Sequence, residues 1–317
     1  MIKTEFITRV MRVKQGLLLG VTFALCFSAC IDPQTAAPAL SIIEMVWIPA
    51  GTFTMGSLES EPSRNSERET QHQVTLTNGF YMGKYQVTQE QYQTVMGTNP
   101  SYFHGGSGRE PASGEVQGKR PVERVSWYDA IVFCNRLSIM EGLSPAYNMN
   151  SSTNPDSWGT VPTSSNSTWN AVTIVSGSNG YRLPTEAQWE YACRAGTTTA
   201  YNTGASISDN TGWYSSNSNS MTHEVGKKPA NTWGLYDMHG NVWEWCFDWY
   251  GTYASGAQTD PTGASSGTYR VIRGGGWYNS AGPLRSANRS SYYPDFRGDY
   301  IGFRLVRPLP AGDGFHR

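Results

Sequence analysis

Three short stretches open with the same arrangement, and they bound how much of this chain can be helix. Thr88 has Gln91 three residues on, Ser126 has Asp129, and Thr185 has Gln188. In each, the hydroxyl can accept from a free N–H of the first turn while its partner reaches back to the cap backbone. After Ser126, the residues Trp127, Ala130, Ile131, Cys134 and Leu137 fall on one helical face; after Thr185, Trp189 and Ala192 do the same. Gly196 stands where a left-handed residue would end that last helix. Elsewhere the chain has 34 Gly, 18 Tyr and 11 Trp, and only 15% of it is charged. That composition suits loops pinned by aromatic anchors, not a helical bundle.

The strand signals are fewer. Residues 45–56 are apolar with turn breakers and read as a hairpin. Residues 74–77 and 80–82 read as strands. Residues 241–249 alternate, with Trp243, Trp245, Phe247 and Trp249 on one side and Val242, Glu244, Cys246 and Asp248 on the other. Segments 269–273, 284–288 and 302–306 are the last candidates, expected as an antiparallel unit joined by connections 274–283 and 289–301. Residues 148–180 and 201–220 are polar excursions, longer than connections usually are. A short hairpin is expected at 171–175. Trp158, Trp169, Trp213 and Tyr214 are available to pin these tracts.

The N-terminus has the pattern of an export signal. Lys3, Arg9, Arg12 and Lys14 precede a short apolar run, residues 16–27. Phe27-Ser28-Ala29-Cys30 follows and resembles a bacterial lipobox, with Phe where Leu is usual. Cleavage before Cys30 and acylation of its thiol would give an anchored protein; the alternative is an ordinary signal peptide with a chance cysteine. The expected organisation is signal peptide 1–29, tether 30–43, one large domain 44–309, and tail 310–317. The expected location is the bacterial outer membrane, surface-exposed. A net charge of −1 offers nucleic acid no electrostatic footprint. Beyond the leader, Cys134, Cys193 and Cys246 are odd in number, so they read as buried apolar residues, not a disulfide framework.

Six blocks then resemble one family. They are residues 46–57 (VWIPAGTFTMGS), 121–130 (PVERVSWYDA), 181–192 (YRLPTEAQWEYA), 234–245 (GLYDMHGNVWEW), 273–277 (RGGGW) and 301–306 (IGFRLV). Together they resemble formylglycine-generating enzymes, the sulfatase-modifying factors. The resemblance implies an α+β domain, a large elaboration of the C-type lectin fold with little regular secondary structure. The family's oxygen-dependent enzymes hold copper with a cysteine pair just after the Arg-Gly-Gly motif. Here residues 277–285 contain no cysteine, so the resemblance implies no catalytic residues and no catalytic cofactor. His72, His104, His223, His239 and His316 are scattered, and each reads as a surface or capping residue. Against this stand an enzyme of the same group using other residues, and a constant envelope lipoprotein that assists a partner.

In the C-terminal segment, 276–301, framework-like residues alternate with clusters of Tyr, Asn, Ser, Gly and Asp. The clusters are Tyr278, Asn279 and Ser280; Gly282 and Pro283; Ser290, Ser291, Tyr292 and Tyr293; and Gly298, Asp299 and Tyr300. Tyr supplies stiff contact area, and the small polar residues supply adaptable hydrogen bonds. The layout resembles variable proteins of diversity-generating retroelements, in which adenines of a template repeat are randomised on copying into the gene's 3′ end. The implied partner is a protein or glycan bound at this face, with Arg285, Arg289 and Arg304 as framework; the alternative is ordinary polar loops. Finally, residues 237–244 match a calcium-binding block of the family. Carried over, the resemblance implies a structural calcium held by Asp237, Gly240, Val242 and Glu244; the alternative is a metal-free turn.

Overall fold

All three capping arrangements form. A computed structural model describes residues 42–309, so the leader, Cys30, residues 31–41 of the tether and the tail lie outside the described residues. Helices α1 (Gln89–Met96), α2 (Trp127–Met140) and α4 (Glu186–Arg194) each carry the reciprocal cap that Thr88, Ser126 and Thr185 promise. A single turn, α3 (Ser167–Asn170), lies inside the first polar excursion. The helix after Thr185 ends at Arg194, and Gly196 is left-handed as expected, with φ 89°. Ala195 is left-handed too, with φ 46°, and its carbonyl accepts the Thr232 hydroxyl at 2.8 Å. Ile43, placed in the tether by sequence, is buried in the larger core.

The strands are short: β1 (Met45–Ile48), β2 (Gly51–Met55), β3 (His72–Leu76), β4 (Phe80–Gly83), β5 (Tyr147–Asn148), β6 (Thr173–Ile174), β7 (Trp243–Trp249), β8 (Gln258–Thr259), β9 (Arg270–Arg273), β10 (Arg289–Tyr292), β11 (Ile301–Gly302) and β12 (Val306–Pro308). They form sheets in the orders β1-β4-β12, β10-β9-β7-β11, β2-β3-β8 and β5-β6. Four expectations change. The opening segment is not a hairpin, because β1 pairs with β4 while β2 pairs with β3, and Pro49 interrupts the run between them. The 171–175 segment makes no hairpin of its own; β6 pairs back to β5. Residues 284–288 are not a strand. Gly282 and Pro283 start a 3-10 turn instead, Leu284 fills a small separate cluster, and the strand begins only at Arg289. The C-terminal unit is also not wholly antiparallel, since β11 runs parallel to β7 and β12 joins another sheet.

Strand β7 organises the interior. Its alternation places Trp243, Trp245 and Phe247 in the larger apolar cluster and Cys246 in the smaller one, with Glu244 and Asp248 on the Cys246 side. The fully buried indoles of Trp245 and Trp127 are both satisfied, as most buried N–H groups are. Trp245 Nε1 donates to the Val125 carbonyl at 2.9 Å, and Trp127 Nε1 donates to the Cys246 carbonyl at 3.0 Å, which ties α2 to the strand. The Arg270 guanidinium lies between the Trp127 and Trp249 rings, 3.8 and 3.4 Å from their centroids. The 148–180 excursion is pinned as its aromatics promise: Trp169 packs edge-on against Tyr128 at 5.5 Å and against Trp158 at 6.0 Å.

Candidate ligand-binding face

The C-terminal segment hangs from buried arginines, each with its charge answered. Arg285 forks onto Glu69 with two bonds of 2.8 Å, reaches Glu61 at 2.6 Å and donates to the Ser63 carbonyl at 2.7 Å. Arg289 grips Glu186 through Nε and Nη2 at 2.7 and 2.5 Å and stacks over Tyr253 at 4.0 Å. Arg304 grips Glu244 at 2.6 and 2.8 Å. Arg273, which opens the RGGGW block but is not among the expected framework arginines, binds Glu190 at 2.6 Å and the carbonyls of Ser286 and Ala287 at 2.8 and 3.1 Å. Bidentate pairs of this kind fix geometry as well as charge. The 282–289 connection is therefore held from below at Arg285, Ser286, Ala287 and Arg289.

Above that frame, residues from separate connections meet. The rings of Tyr278 and Tyr300 are 4.7 Å apart, and the hydroxyls of Tyr292 and Tyr300 are 2.9 Å apart. Tyr292 also stacks on Phe296 at 4.3 Å. The line continues through Trp277 and Phe103 to Tyr102, with centroid separations of 5.6, 5.5 and 5.0 Å from Tyr278 onward. Arg124 lies 4.7 Å over Tyr102, and its backbone N–H holds the Gly298 carbonyl at 2.9 Å. Tyr293 stands beside Tyr269, 4.6 Å between rings, and is 47% exposed; Tyr278 is 40% exposed. Burial, joined by the Tyr292 hydroxyl, pushes the Tyr300 phenol up, and burial raises that of Tyr278. Tyr278 and Tyr300 thus offer neutral donors and acceptors on apolar rings.

Not every residue of the expected set lies on that face. Asn279 turns inward: its side-chain oxygen accepts Trp243 Nε1 at 2.8 Å and the Gly276 N–H at 2.9 Å. Ser280, Gly282 and Pro283 line a separate groove against residues 63–67. Ser290 and Ser291 sit half-buried on the edge strand β10. Asp299 uses its backbone oxygen to hold Trp277 Nε1 at 3.1 Å. At Gly298 an added Cβ would come within 2.9 Å of the Phe296 ring and 3.0 Å of the Tyr300 ring, so a side chain there displaces the aromatic cluster. Tyr102, Arg124 and Phe296 belong to the surface but carry no local signal. Only their position beside the tyrosines marks them.

The calcium block folds into a tight turn, with φ of 54° at Asp237, 94° at Gly240 and 64° at Asn241. Its oxygens converge on a side chain. Gln86 Nε2 lies within hydrogen-bond reach of the carbonyls of Asp237, Gly240 and Val242, at 3.3, 3.2 and 3.0 Å, and of Glu244 Oε1 at 3.0 Å, four acceptors around a group with two hydrogens. Glu244 Oε2 takes Trp189 Nε1 at 2.7 Å. The residues present therefore do not fit a resident ion while Gln86 holds this position. Two histidines also depart from the surface reading. His239 is buried, with Nδ1 2.6 Å from the Leu284 carbonyl, and burial pushes it down to about 4. His223 is buried between Glu115 and Ser218, each at 2.8 Å, and stacks on Trp213 at 3.7 Å. Cys134, Cys193 and Cys246 are buried and unpaired, as composition suggested, and burial pushes the Cys193 thiol up to about 12.

One carboxyl below the face gives a pH signature. Burial, with the Glu186 charge adding to it, pushes Asp248 up to about 7. A carboxyl raised on folding favours the folded state below its unfolded value and loses that contribution as pH rises through the folded one. Asp248→Asn is therefore expected to raise the melting temperature by a few degrees at about pH 8 and to leave it unchanged near pH 4. Thermal melts across that range check it; the same difference at both ends would assign the effect to packing.

Comparisons with known proteins place the fold. A family model described as a sulfatase-modifying factor enzyme 1-like domain matches residues 32–309. The solved structure named Treponema denticola variable protein 1 is 40% identical, with a TM-score of 0.75, over 84% of this chain and 95% of that one. A Paenibacillus barcinonensis protein named chaperone protein LppX is 37% identical over 272 residues, 80% of this chain and 86% of its own length. The formylglycine-generating enzyme of Mus musculus is 28% identical over 333 residues, 86% of this chain and 78% of its own.

Proposed function

The chain belongs to the sulfatase-modifying factor enzyme 1-like domain family, and within that family we propose that it is a ligand-binding variable protein, not an enzyme. The observation that carries this reading is the tyrosine face. Tyr278 from the loop after β9, Tyr292 from the end of β10 and Tyr300 from the loop before β11 meet in one partly exposed cluster, while the arginines beneath them are locked in ion pairs. A few tyrosine anchors can supply most of an interface's affinity, and a fixed backbone limits the ordering cost of binding. The proposed ligand is a protein or glycan. The 40% identity with a protein named for its variability supports the same reading. Buried thiols with raised pKa values suit structural cysteines better than thiolate chemistry. Export and lipid anchoring at Cys30 would put this face outside the cell.

A second reading, a constant accessory protein, is favoured by the 37% identity with a protein named as a chaperone. Sequencing the gene's 3′ end and the DNA downstream, across isolates and within one large culture, separates the two. The binder reading expects substitutions concentrated at codons 278, 290–293, 299 and 300, with Arg285 and Arg289 fixed and an adenine-rich near-copy nearby. Constant codons without a template would overturn it and leave the accessory reading.

A further inference from the structure

We infer that the Gln86 side-chain amide takes the place of the calcium ion in the 237–244 turn, so that this domain is held by an internal donor and needs no divalent cation. The inference is independent of what the tyrosine face binds. Of the oxygens that would face an ion, the Gly240 and Val242 carbonyls and Glu244 Oε1 lie 3.0 to 3.2 Å from Gln86 Nε2, and the Asp237 backbone carbonyl joins them at 3.3 Å in place of that residue's side chain. Gln86 is fully buried, so no water competes for those contacts. A positive charge already sits on the same carboxylate: Arg304 binds Glu244 through Nε and Nη2 and also holds the Gly83 and Tyr236 carbonyls at 3.0 and 2.9 Å. That charge disfavours a second cation alongside it. Calcium also asks for six to eight oxygens. One Asp237 oxygen is already committed to the Gly226 N–H at 2.7 Å. Among the described residues, no three acidic, histidine or cysteine side chains converge as a metal cluster.

The amide has a reason to be there. The turn places Asp237 and Asn241 in the left-handed region, which side chains other than glycine adopt at a cost. It also points several carbonyls inward, and carbonyls buried together need a donor. Gln86 lies just before the cap of α1 and beside Gly83 of β4, so its amide ties the N-terminal part of the domain to β7 across 158 residues of sequence. Two buried oxygens, Asp237 Oδ1 and Gln86 Oε1, have no donor of their own. They are also the atoms a cation would recruit if the amide were turned over. Calcium itself therefore distinguishes the two arrangements.

The test is a thermal melt of the full chain in EDTA and in millimolar calcium, with the metal content of the purified protein measured alongside. The expected result is no bound calcium and a melting temperature that agrees to about one degree between the two conditions. Gln86→Glu replaces the donor with a carboxylate facing the same oxygens. It should melt lower in EDTA and recover when calcium is added, because only then is the cage neutralised. One equivalent of calcium retained by the wild-type protein, with a melting temperature several degrees lower in EDTA, would overturn the inference and place Gln86 Oε1 among the ligands. If Gln86→Glu does not fold, the wild-type measurement still decides.

Discussion

Glu186→Ala is expected to lower the melting temperature by roughly 8–15 °C, from a loss of roughly 3–5 kcal/mol. Glu186 is buried in the first turn of α4 and answers two guanidinium groups. Arg289 donates to it twice and Arg273 approaches at 3.4 Å, while the Tyr253 hydroxyl adds a bond at 3.2 Å. Arg289 would keep only the Gly251 carbonyl, at 2.7 Å, as a hydrogen-bond partner. The loss comes from stranding a buried charge, not from the worth of the pair. Replacing both partners with apolar residues, Glu186→Leu with Arg289→Met, should therefore cost less than either truncation alone. Arg289 is also the first residue of β10, so amide exchange at 290–292 should accelerate in Glu186→Ala beyond the change at β7. Uniform acceleration would show that the pair supports the whole domain and gives the edge strand no special support.

Arg285→Ala is the second large effect, and its pH dependence identifies the cause. Glu69 and Glu61 would both lose their cation; their side chains are 0% and 6% exposed. The expected loss is again roughly 3–5 kcal/mol at neutral pH. In the wild-type protein, burial alone would raise the Glu69 carboxyl. Hydrogen bonds from Arg285, Ser57 and Asn65 outweigh burial and hold the pKa below its ordinary value. A lowered carboxyl stabilises the folded state above its unfolded pKa, and that contribution is lost as pH falls through the folded value. Without Arg285 burial is opposed only by the Ser57 and Asn65 hydrogen bonds, so the Glu69 pKa rises and the variant should lose less stability than the wild-type protein as pH falls toward 4.5, the ordinary carboxyl value. Melts of both proteins over that range check this. Parallel profiles would mean that Glu69 is not the group Arg285 serves.

Much of the scaffold was legible in the chain because its rules are local. A capping box spans three residues, and all three boxes formed. The alternation in 241–249 spans one strand and put the tryptophans and Cys246 in different clusters. Arg285, Arg289 and Arg304 could be named as framework from the resemblance. Their partners could not, because Glu69 lies 216 residues from Arg285 and Glu186 lies 103 from Arg289.

The sequence by itself determined where helices begin, which strand carries the aromatic stripe, which family the blocks belong to, and which C-terminal residue types suit binding. Tertiary structure alone decided how those residues sort. Tyr278, Tyr292 and Tyr300 share a surface; Asn279, beside Tyr278 in sequence, turns beneath it to Trp243. Residues 284–288 are a strand candidate by sequence, yet a Gly-Pro turn and the pull of Glu69 on Arg285 fold them otherwise. The turn at 237–244 reads as a cation site until Gln86 arrives from 151 residues away. Helix and strand periodicities act over a few residues. A pocket full of buried oxygens is satisfied by whichever donor the closed chain brings to it, and that donor has no counterpart in the local pattern.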